Sequence, residues 1–134
     1  MEMRQPELSS NLERIASEIV DAAFQVHTNL GPGLLESVYE ACMAYELRKR
    51  GLNIKTQLHL PIRYGDIEIE AGLRLDILVA DLVIIEVKAV EEMLPVHEAQ
   101  MLTYLKLTNL SLGFLINFNV PRIKSSIKRM VRSL

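Results

Sequence analysis

Cysteine is nearly absent from this sequence of 134 residues, because it occurs once, at Cys42. A lone thiol excludes an internal disulfide, a zinc site built from several cysteines and an iron–sulfur cluster held by cysteines. Glycine and proline are scarce as well, at 6 and 5 residues, which argues against low-complexity disorder. No apolar run approaches the ~18 residues of a membrane span, and Glu2, Arg4 and Glu7 replace the apolar stretch of a secretory signal. We therefore expect a soluble cytoplasmic protein without a membrane segment.

The charge of the chain is close to balanced, with a formal net charge of −2 at pH 7. This excludes a coat of positive charge that wraps duplex DNA, but it leaves room for a local nucleic-acid site. The end of the chain, from Pro121, is basic and contains no acid; its cations are Arg122, Lys124, Lys128, Arg129 and Arg132. We interpret this stretch as the solvated face of a C-terminal helix, and a docking surface is the alternative.

Hydrophobic residues make up 49% of the chain, and no linker or repeat divides it, so we expect one domain over residues 1–134. Helical spacing follows Ser10, which stands three residues before Glu13 as in a capping box. A second helix is expected with Pro32 near its first turn and Gly51 as its stop.

The hydrophobic period changes to two after Leu52. Four strands are predicted next, at about Leu58–Tyr64, Ile67–Ala71, Leu73–Val79 and Leu82–Val90. The remaining elements are a helix over Pro95–Thr108, a strand over Leu112–Phe118 and a helix after Pro121. The order ααββββαβα predicts an α/β fold, in which an antiparallel meander and one crossover strand form a mixed sheet flanked by helices.

Charged residues interrupt two of these strands. Glu86 and Lys88 alternate within the apolar run Leu82–Val90, and Asp76 interrupts the strand before it. We expect Asp76 to share a face with Arg74 and Leu78, opposite Leu75, Ile77 and Val79. Burying a carboxylate within an apolar strand costs free energy unless a neighbouring charge or cation compensates it. An ion pair between Glu86 and Lys88 is one explanation, and a hard cation such as Mg²⁺ between the two acids is the other.

A shared cation site depends on the register of the two strands. A two-residue turn at Ala80-Asp81 would place Asp76 opposite Ile85 and send the two acids to opposite faces. A loop of three residues, or a bulge, is needed to place Asp76 opposite Glu86. The metal-site hypothesis therefore predicts that longer connection.

Two helices carry further candidates. Glu36 lies in the first turn after Gly33, where an acid matched to the helix dipole is the alternative to a site residue. On the third helix, His97, Gln100 and Tyr104 form a polar stripe opposite Val96, Ala99 and Leu102. This stripe either faces solvent or forms a wall over the acidic face of the sheet.

Together these motifs resemble the PD-(D/E)xK nuclease superfamily and, more narrowly, the GxxExxY protein family. Asp76 with Glu86-Val87-Lys88 fits the superfamily, and Gly33-Leu34-Leu35-Glu36-Ser37-Val38-Tyr39 fits the motif that names the family. The resemblance extends from about Leu12 to Val131 and implies a restriction-endonuclease-like core.

The resemblance also implies roles for individual residues. Asp76, Glu86 and Glu36 would bind Mg²⁺ or Mn²⁺, and Lys88 would be the catalytic lysine, with Glu36 as the acid from the early helix. Gln100 and Tyr104 would correspond to the QxxxY signature of exonuclease-like branches.

The function implied is a Mg²⁺-dependent nuclease that hydrolyses phosphodiester bonds of DNA, or of RNA. The alternative is a non-catalytic nucleic-acid-binding or protein-assembly module that keeps the nuclease fold and docks through the basic C-terminal helix. Because a small domain needs two sites to cut both strands of a duplex, we also expect a homodimer.

Overall fold

The computed structural model describes residues 9–133, so the N-terminal segment considered for a secretory signal lies outside the described residues. Its helices are α1 (Ser10–Leu30), α2 (Glu36–Lys49) and α3 (Pro95–Thr108). Its strands are β1 (Ile54–Tyr64), β2 (Ile67–Val79), β3 (Val83–Lys88), β4 (Leu112–Asn117) and β5 (Ile127–Val131), with a 3₁₀ turn at Ile123–Ser126. Within this part of the chain, no helix combines the length and the apolar character needed to cross a bilayer.

The five strands form one mixed sheet in the order β1-β2-β3-β4-β5. Neighbouring strands are antiparallel except β3 and β4, which are parallel and are connected by α3 as a crossover. The predicted architecture, a mixed sheet flanked by helices, is confirmed.

Each face of the sheet has its own hydrophobic core. Helices α1 and α2 cover one face, where Ile19 and Ile85 are fully buried, and α3 covers the other, where Met101 packs with Ile84. Gly113 of β4 lies beneath α3, and a Cβ atom there would be 2.5 Å from Sδ of Met101. The missing side chain therefore permits the close approach of α3 to the sheet.

The predicted order ααββββαβα is wrong in dividing its second and third strands. The strands expected at Ile67–Ala71 and Leu73–Val79 are one continuous strand, β2. Ala71 has φ 52°, and the register with β1 shifts between Leu60 and Ile62, so a bulge takes up the irregularity without ending the strand.

The predicted C-terminal helix is wrong as well, because β5 is an edge strand. Val131 pairs with Leu112 and Ile127 with Ile116, so β5 satisfies the backbone groups along the outer edge of β4. Arg129 reaches Glu13 of α1 at 2.6 Å and ties the strand to the helix layer. The observed order is ααβββαββ, and the basic stretch is not a helix face.

The start of α1 is shifted by one residue from its prediction. Ser9, not Ser10, is the N-cap, and its Oγ accepts the N–H of Leu12 at 3.2 Å. Glu13, expected in a capping box, contacts Arg129 instead.

Candidate active site

Asp76 and Glu86 meet where β2 and β3 separate. The ladder between these strands ends with the pair Ile77 and Ile85, so the next position sets Asp76 opposite Glu86. The connection Ala80–Leu82 has three residues, and its tight turn uses two left-handed residues, as a type I′ turn requires. The predicted loop length and register are confirmed.

The two carboxylates replace the next hydrogen bonds of the ladder. The N–H of Asp76 donates to Oε1 of Glu86 at 3.3 Å, and the N–H of Val87 donates to Oδ2 of Asp76 at 2.9 Å. Both acids are 4% exposed. Burial, followed by the charge of Asp76, raises the pKa of Glu86 to about 9, although the charge of Lys88 acts in the opposite direction. Without a cation, Glu86 therefore keeps a proton at pH 7.

The strand β2 changes face at the site. Leu75 belongs to the core under α3, whereas Ile77 belongs to the core under α1 and α2, although residues two apart in a regular strand share a face. The expected common face of Leu75, Ile77 and Val79 is therefore wrong. Gln57, opposite Asp76 on β1, has φ 49°, so both strands are irregular at this level. Asp76 therefore lies in the chain between Leu75 of one core and Ile77 of the other.

A cavity of about 230 Å³ opens beside Asp76, and its other lining residues are Glu36, Ser37, Glu40, Gln57 and Arg74. Glu36 is exposed at the first position of α2, on the wall of this cavity. Glu40 was not among the predicted site residues, yet it is half-buried and accepts a hydrogen bond from Nε2 of Gln57. Burial and then the charge of Asp76 raise the pKa of the Glu40 carboxyl. Its spacing of four residues after Glu36, one helical turn, is the signal that could have found it.

Tyr39 holds the loop that carries Glu36. Its hydroxyl donates to the carbonyl of Gly31 at 2.7 Å and accepts the N–H of Leu34 at 3.1 Å. Its buried ring stacks on Phe118 with the centroids 4.8 Å apart. The chain is thereby folded into a loop before the helix, so α2 begins at Glu36 and not near Pro32 as predicted.

Lys88 is half-buried at the end of β3, opposite Asn117 of β4. The buried Asn117 side chain accepts the N–H of Val90 at 3.1 Å and donates to its carbonyl at 2.9 Å. The N–H of Phe118 donates to the carbonyl of Lys88. Asn117 thus fixes the backbone of the segment that follows Lys88. The prediction missed this residue, and its signal is a polar side chain near the end of an apolar strand.

Gln100 and Tyr104 are half-buried on α3, where Nε2 of Gln100 donates to Oη of Tyr104 at 3.0 Å. Burial and then the charge of Glu86 raise the pKa of Tyr104. His97 belongs to the same predicted stripe, but its Nδ1 accepts the N–H of Leu94 and caps the helix. The apolar residues opposite the stripe are not in the core, because Val96 is 63% exposed.

The buried acid pair matches the ligand chemistry of a hard divalent cation. Among residues 9–133, no three His, Cys, Asp or Glu side chains come together in a group able to hold a metal ion, so Glu36 is not grouped with Asp76 and Glu86. Mg²⁺ in enzymes is commonly bound by one or two carboxylates, waters and substrate phosphates. Two acids in contact, one with its pKa raised to about 9, are a pair whose ionised forms a cation would stabilise.

Residues 13–130 match the PD-(D/E)XK nuclease superfamily in a comparison with protein families, and the chain belongs to that superfamily. Its mixed sheet flanked by helices is the restriction-endonuclease-like α/β fold. Nucleases of this superfamily generally use Mg²⁺ or Mn²⁺. Comparisons with curated proteins and with solved structures found no match.

Proposed function

We propose that the protein is a Mg²⁺- or Mn²⁺-dependent nuclease that hydrolyses phosphodiester bonds of DNA. The observation that carries this proposal is the contact between the buried acids Asp76 and Glu86, with Lys88 two residues further along the strand. Membership of the nuclease superfamily supports the same reaction class.

Asp76 and Glu86 are the proposed metal ligands. Each uses one carboxylate oxygen to accept a backbone N–H, and a bound cation would take the place of the proton that Glu86 keeps without metal. A bound Mg²⁺ or Mn²⁺ would neutralise phosphate charge and lower the pKa of the attacking water. Glu36 adds a third carboxylate from the α2 side of the cavity.

Lys88 supplies positive charge to the site, and Gln100 and Tyr104 of α3 supply hydrogen bonds. The ammonium group of Lys88 orients the attacking water and stabilises the charge that develops on the phosphate. Gln100 and Tyr104 donate hydrogen bonds to the substrate from the other helix layer. Their mutual hydrogen bond restricts both side chains, which reduces the entropy lost when substrate binds.

We further assign the chain to the GxxExxY family on the motif Gly33–Tyr39, whose tyrosine holds the loop that carries Glu36. Residues 1–134 then form a single nuclease domain. A cytoplasmic location is consistent with the free thiol of Cys42. We propose a homodimer as well, because two sites are needed to cut both strands of a duplex.

Cleavage assays test the proposal. Plasmid DNA, single-stranded DNA and RNA are incubated with Mg²⁺, Mn²⁺ or EDTA, and wild type is compared with Lys88→Ala and Asp76→Asn. Removal of a charge-stabilising group of this kind lowers rates by about 10²–10³-fold. Lys49→Ala, an exposed lysine at the far end of α2, is the matched control and should cleave like wild type.

The other outcomes are equally informative. Equal cleavage by all four proteins indicates a contaminating nuclease. No cleavage by any folded protein supports a non-catalytic module with the nuclease fold. Cleavage of RNA alone changes the substrate class but keeps the reaction.

A further inference from the structure

The paired strands β1 and β2 form a ribbon with two basic side chains next to the candidate site. Their register places His59 directly opposite Arg74. The neighbours Leu58 and Leu75 pack towards the core under α3, so the alternation of the strands turns His59 and Arg74 to the opposite face. Arg74 accordingly lines the cavity beside Asp76.

Arg74 lies near the acids but is not held by them. Its Nη2 is 4.0 Å from Oδ1 of Asp76, and 58% of its side chain is exposed. Within residues 9–133, neither the Arg74 guanidinium nor the ring of His59 makes a hydrogen bond. The donors of both groups are therefore available to a ligand.

The cavity is otherwise acidic. Glu36 and Glu40 line it from α2, and Asp76 lines it from β2. Each carboxylate repels an entering phosphodiester. Among the described residues that line the cavity, Arg74 is the only cation, and His59 stands opposite it on β1. An anionic strand is therefore best accommodated on the ribbon side.

We propose that His59 and Arg74 form a binding site for the phosphate next to the one that is cleaved, so that the nucleic-acid strand lies along the polar face of the β1–β2 ribbon. The inference rests on the proposed nuclease function, because it places the reacting phosphate at Asp76. Arg74 precedes Asp76 by two residues on β2, with Nη2 4.0 Å from Oδ1 of Asp76, so a phosphate bound by the guanidinium lies beside the one held at Asp76. The guanidinium binds phosphate oxygens through parallel N–H bonds, and the imidazole adds a further donor. The substrate class is thus a polynucleotide strand and not an isolated phosphodiester.

Binding measurements test this site separately from catalysis. Fluorescence anisotropy follows a labelled single-stranded oligodeoxynucleotide, with Ca²⁺ in place of Mg²⁺ to suppress cleavage. Arg74→Ala should weaken binding about tenfold and reduce the slope of log K against log salt by about 0.7, as loss of one phosphate contact predicts. His59→Ala should weaken binding about threefold, and Lys49→Ala, which like Arg74→Ala removes an exposed cation, should remain within about twofold of wild type.

A neutral phosphate analogue shows whether the contact is direct. A set of oligonucleotides carries one methylphosphonate each, and the cleaved bond is mapped from the products formed in Mg²⁺. The neutral group next to that bond should weaken wild-type binding about tenfold but Arg74→Ala binding less than about twofold, because the partner is already missing. Arg74→Lys keeps the positive charge but loses the planar guanidinium. The effect of the neutral group on its binding should therefore lie between the effects on wild type and on Arg74→Ala.

Each result has one interpretation. If Arg74→Ala loses the same binding affinity at every methylphosphonate position, the proposal is overturned. Unchanged or tighter binding by this variant also overturns it, because Arg74 would then only offset the charge of the neighbouring acids. If wild type cleaves DNA and Arg74→Ala binds normally, this inference fails while the nuclease function stands. If wild type neither binds nor cleaves nucleic acid, both fail. Melting temperatures within a few degrees of wild type show that the variants are folded.

Discussion

The N–H of Asp76 donates to a carboxylate oxygen of Glu86, and the N–H that follows Glu86 in the chain donates to a carboxylate oxygen of Asp76. These crossed hydrogen bonds hold two buried acids together where the β2–β3 ladder stops. The arrangement is unfavourable for two negative charges, because burial and the charge of Asp76 raise the pKa of Glu86. Stability, pH and divalent cations should therefore be linked at this pair.

Metal-free wild type should lose stability as the pH rises. Glu86 has a pKa of about 9 in the folded protein and an ordinary value of 4.5, so between these values the folded chain binds a proton that the unfolded chain releases. The contribution is fully present below pH 4.5 and is lost as the pH rises towards 9. Glu86→Gln removes this titration. The melting temperature of each protein is measured in EDTA at pH 5 and at pH 9. The decrease between these two pH values should be about 5 °C or more larger for wild type than for Glu86→Gln. Parallel pH profiles would contradict the assignment.

Divalent cations should stabilise wild type through the same pair. Mg²⁺ at a hundred times its Kd adds about 2.7 kcal/mol to the free energy of unfolding. Asp76→Asn removes one ligand, so its melting temperature should respond little to Mg²⁺. Asp66→Asn, in the exposed turn between β1 and β2, is the matched control and should respond like wild type. An equal response of both variants would place the binding of Mg²⁺ elsewhere.

Tyr39→Phe should cost about 1–2 kcal/mol of stability, because it removes the hydrogen bonds to Gly31 and Leu34 but keeps the stack on Phe118. Urea unfolding measures the loss. Tyr45→Phe is the control, since Tyr45 is 64% exposed and should tolerate the change.

The same substitution should also lower DNA cleavage, because the loop before Glu36 loses its anchor. In a Glu36→Gln background this second effect should largely disappear. Full additivity of the two changes in the cleavage rate would show that Tyr39 acts on the fold alone.

Gly113→Ala should destabilise the protein by about 1–3 kcal/mol, because the new methyl group would overlap Sδ of Met101. Met101→Ala creates the missing space at a cost of its own. In that background the added cost of Gly113→Ala should be close to zero, and a double-mutant cycle by urea unfolding measures this coupling. Additive losses would mean that Gly113 is needed for its backbone and not for the close approach of α3.

Local sequence signals were sufficient for part of the site. The bounds of α3, Pro95–Thr108, were predicted correctly, and proline is favoured in the first turn of a helix, where it stands here. The three-residue connection before β3 followed from one constraint, that Asp76 and Glu86 must meet. Glu40 and Asn117 also carry local signals, but the contacts that make them relevant are with Gln57 and Val90, which are distant in the chain and are brought near only by the fold.

The basic C-terminal stretch shows where local pattern misleads. Ile123, Ile127 and Met130 recur at helical spacing, so the sequence by itself favours a helix there. The chain forms β5 because the outer edge of β4 offers a ladder of unpaired backbone groups. A helix would have satisfied its own hydrogen bonds but left those of β4 without partners.

What the sequence determined by itself is the chemistry: acids within apolar strands, a lysine two residues beyond one of them, and a Gly33–Tyr39 motif before a helix. Alternation and capping act between near neighbours, so such features can be read from the chain. The tertiary structure decided which of these groups share a space. It moved Leu75 and Ile77 to opposite cores, because strand pairing and the packing of helices on both faces outweigh local preference.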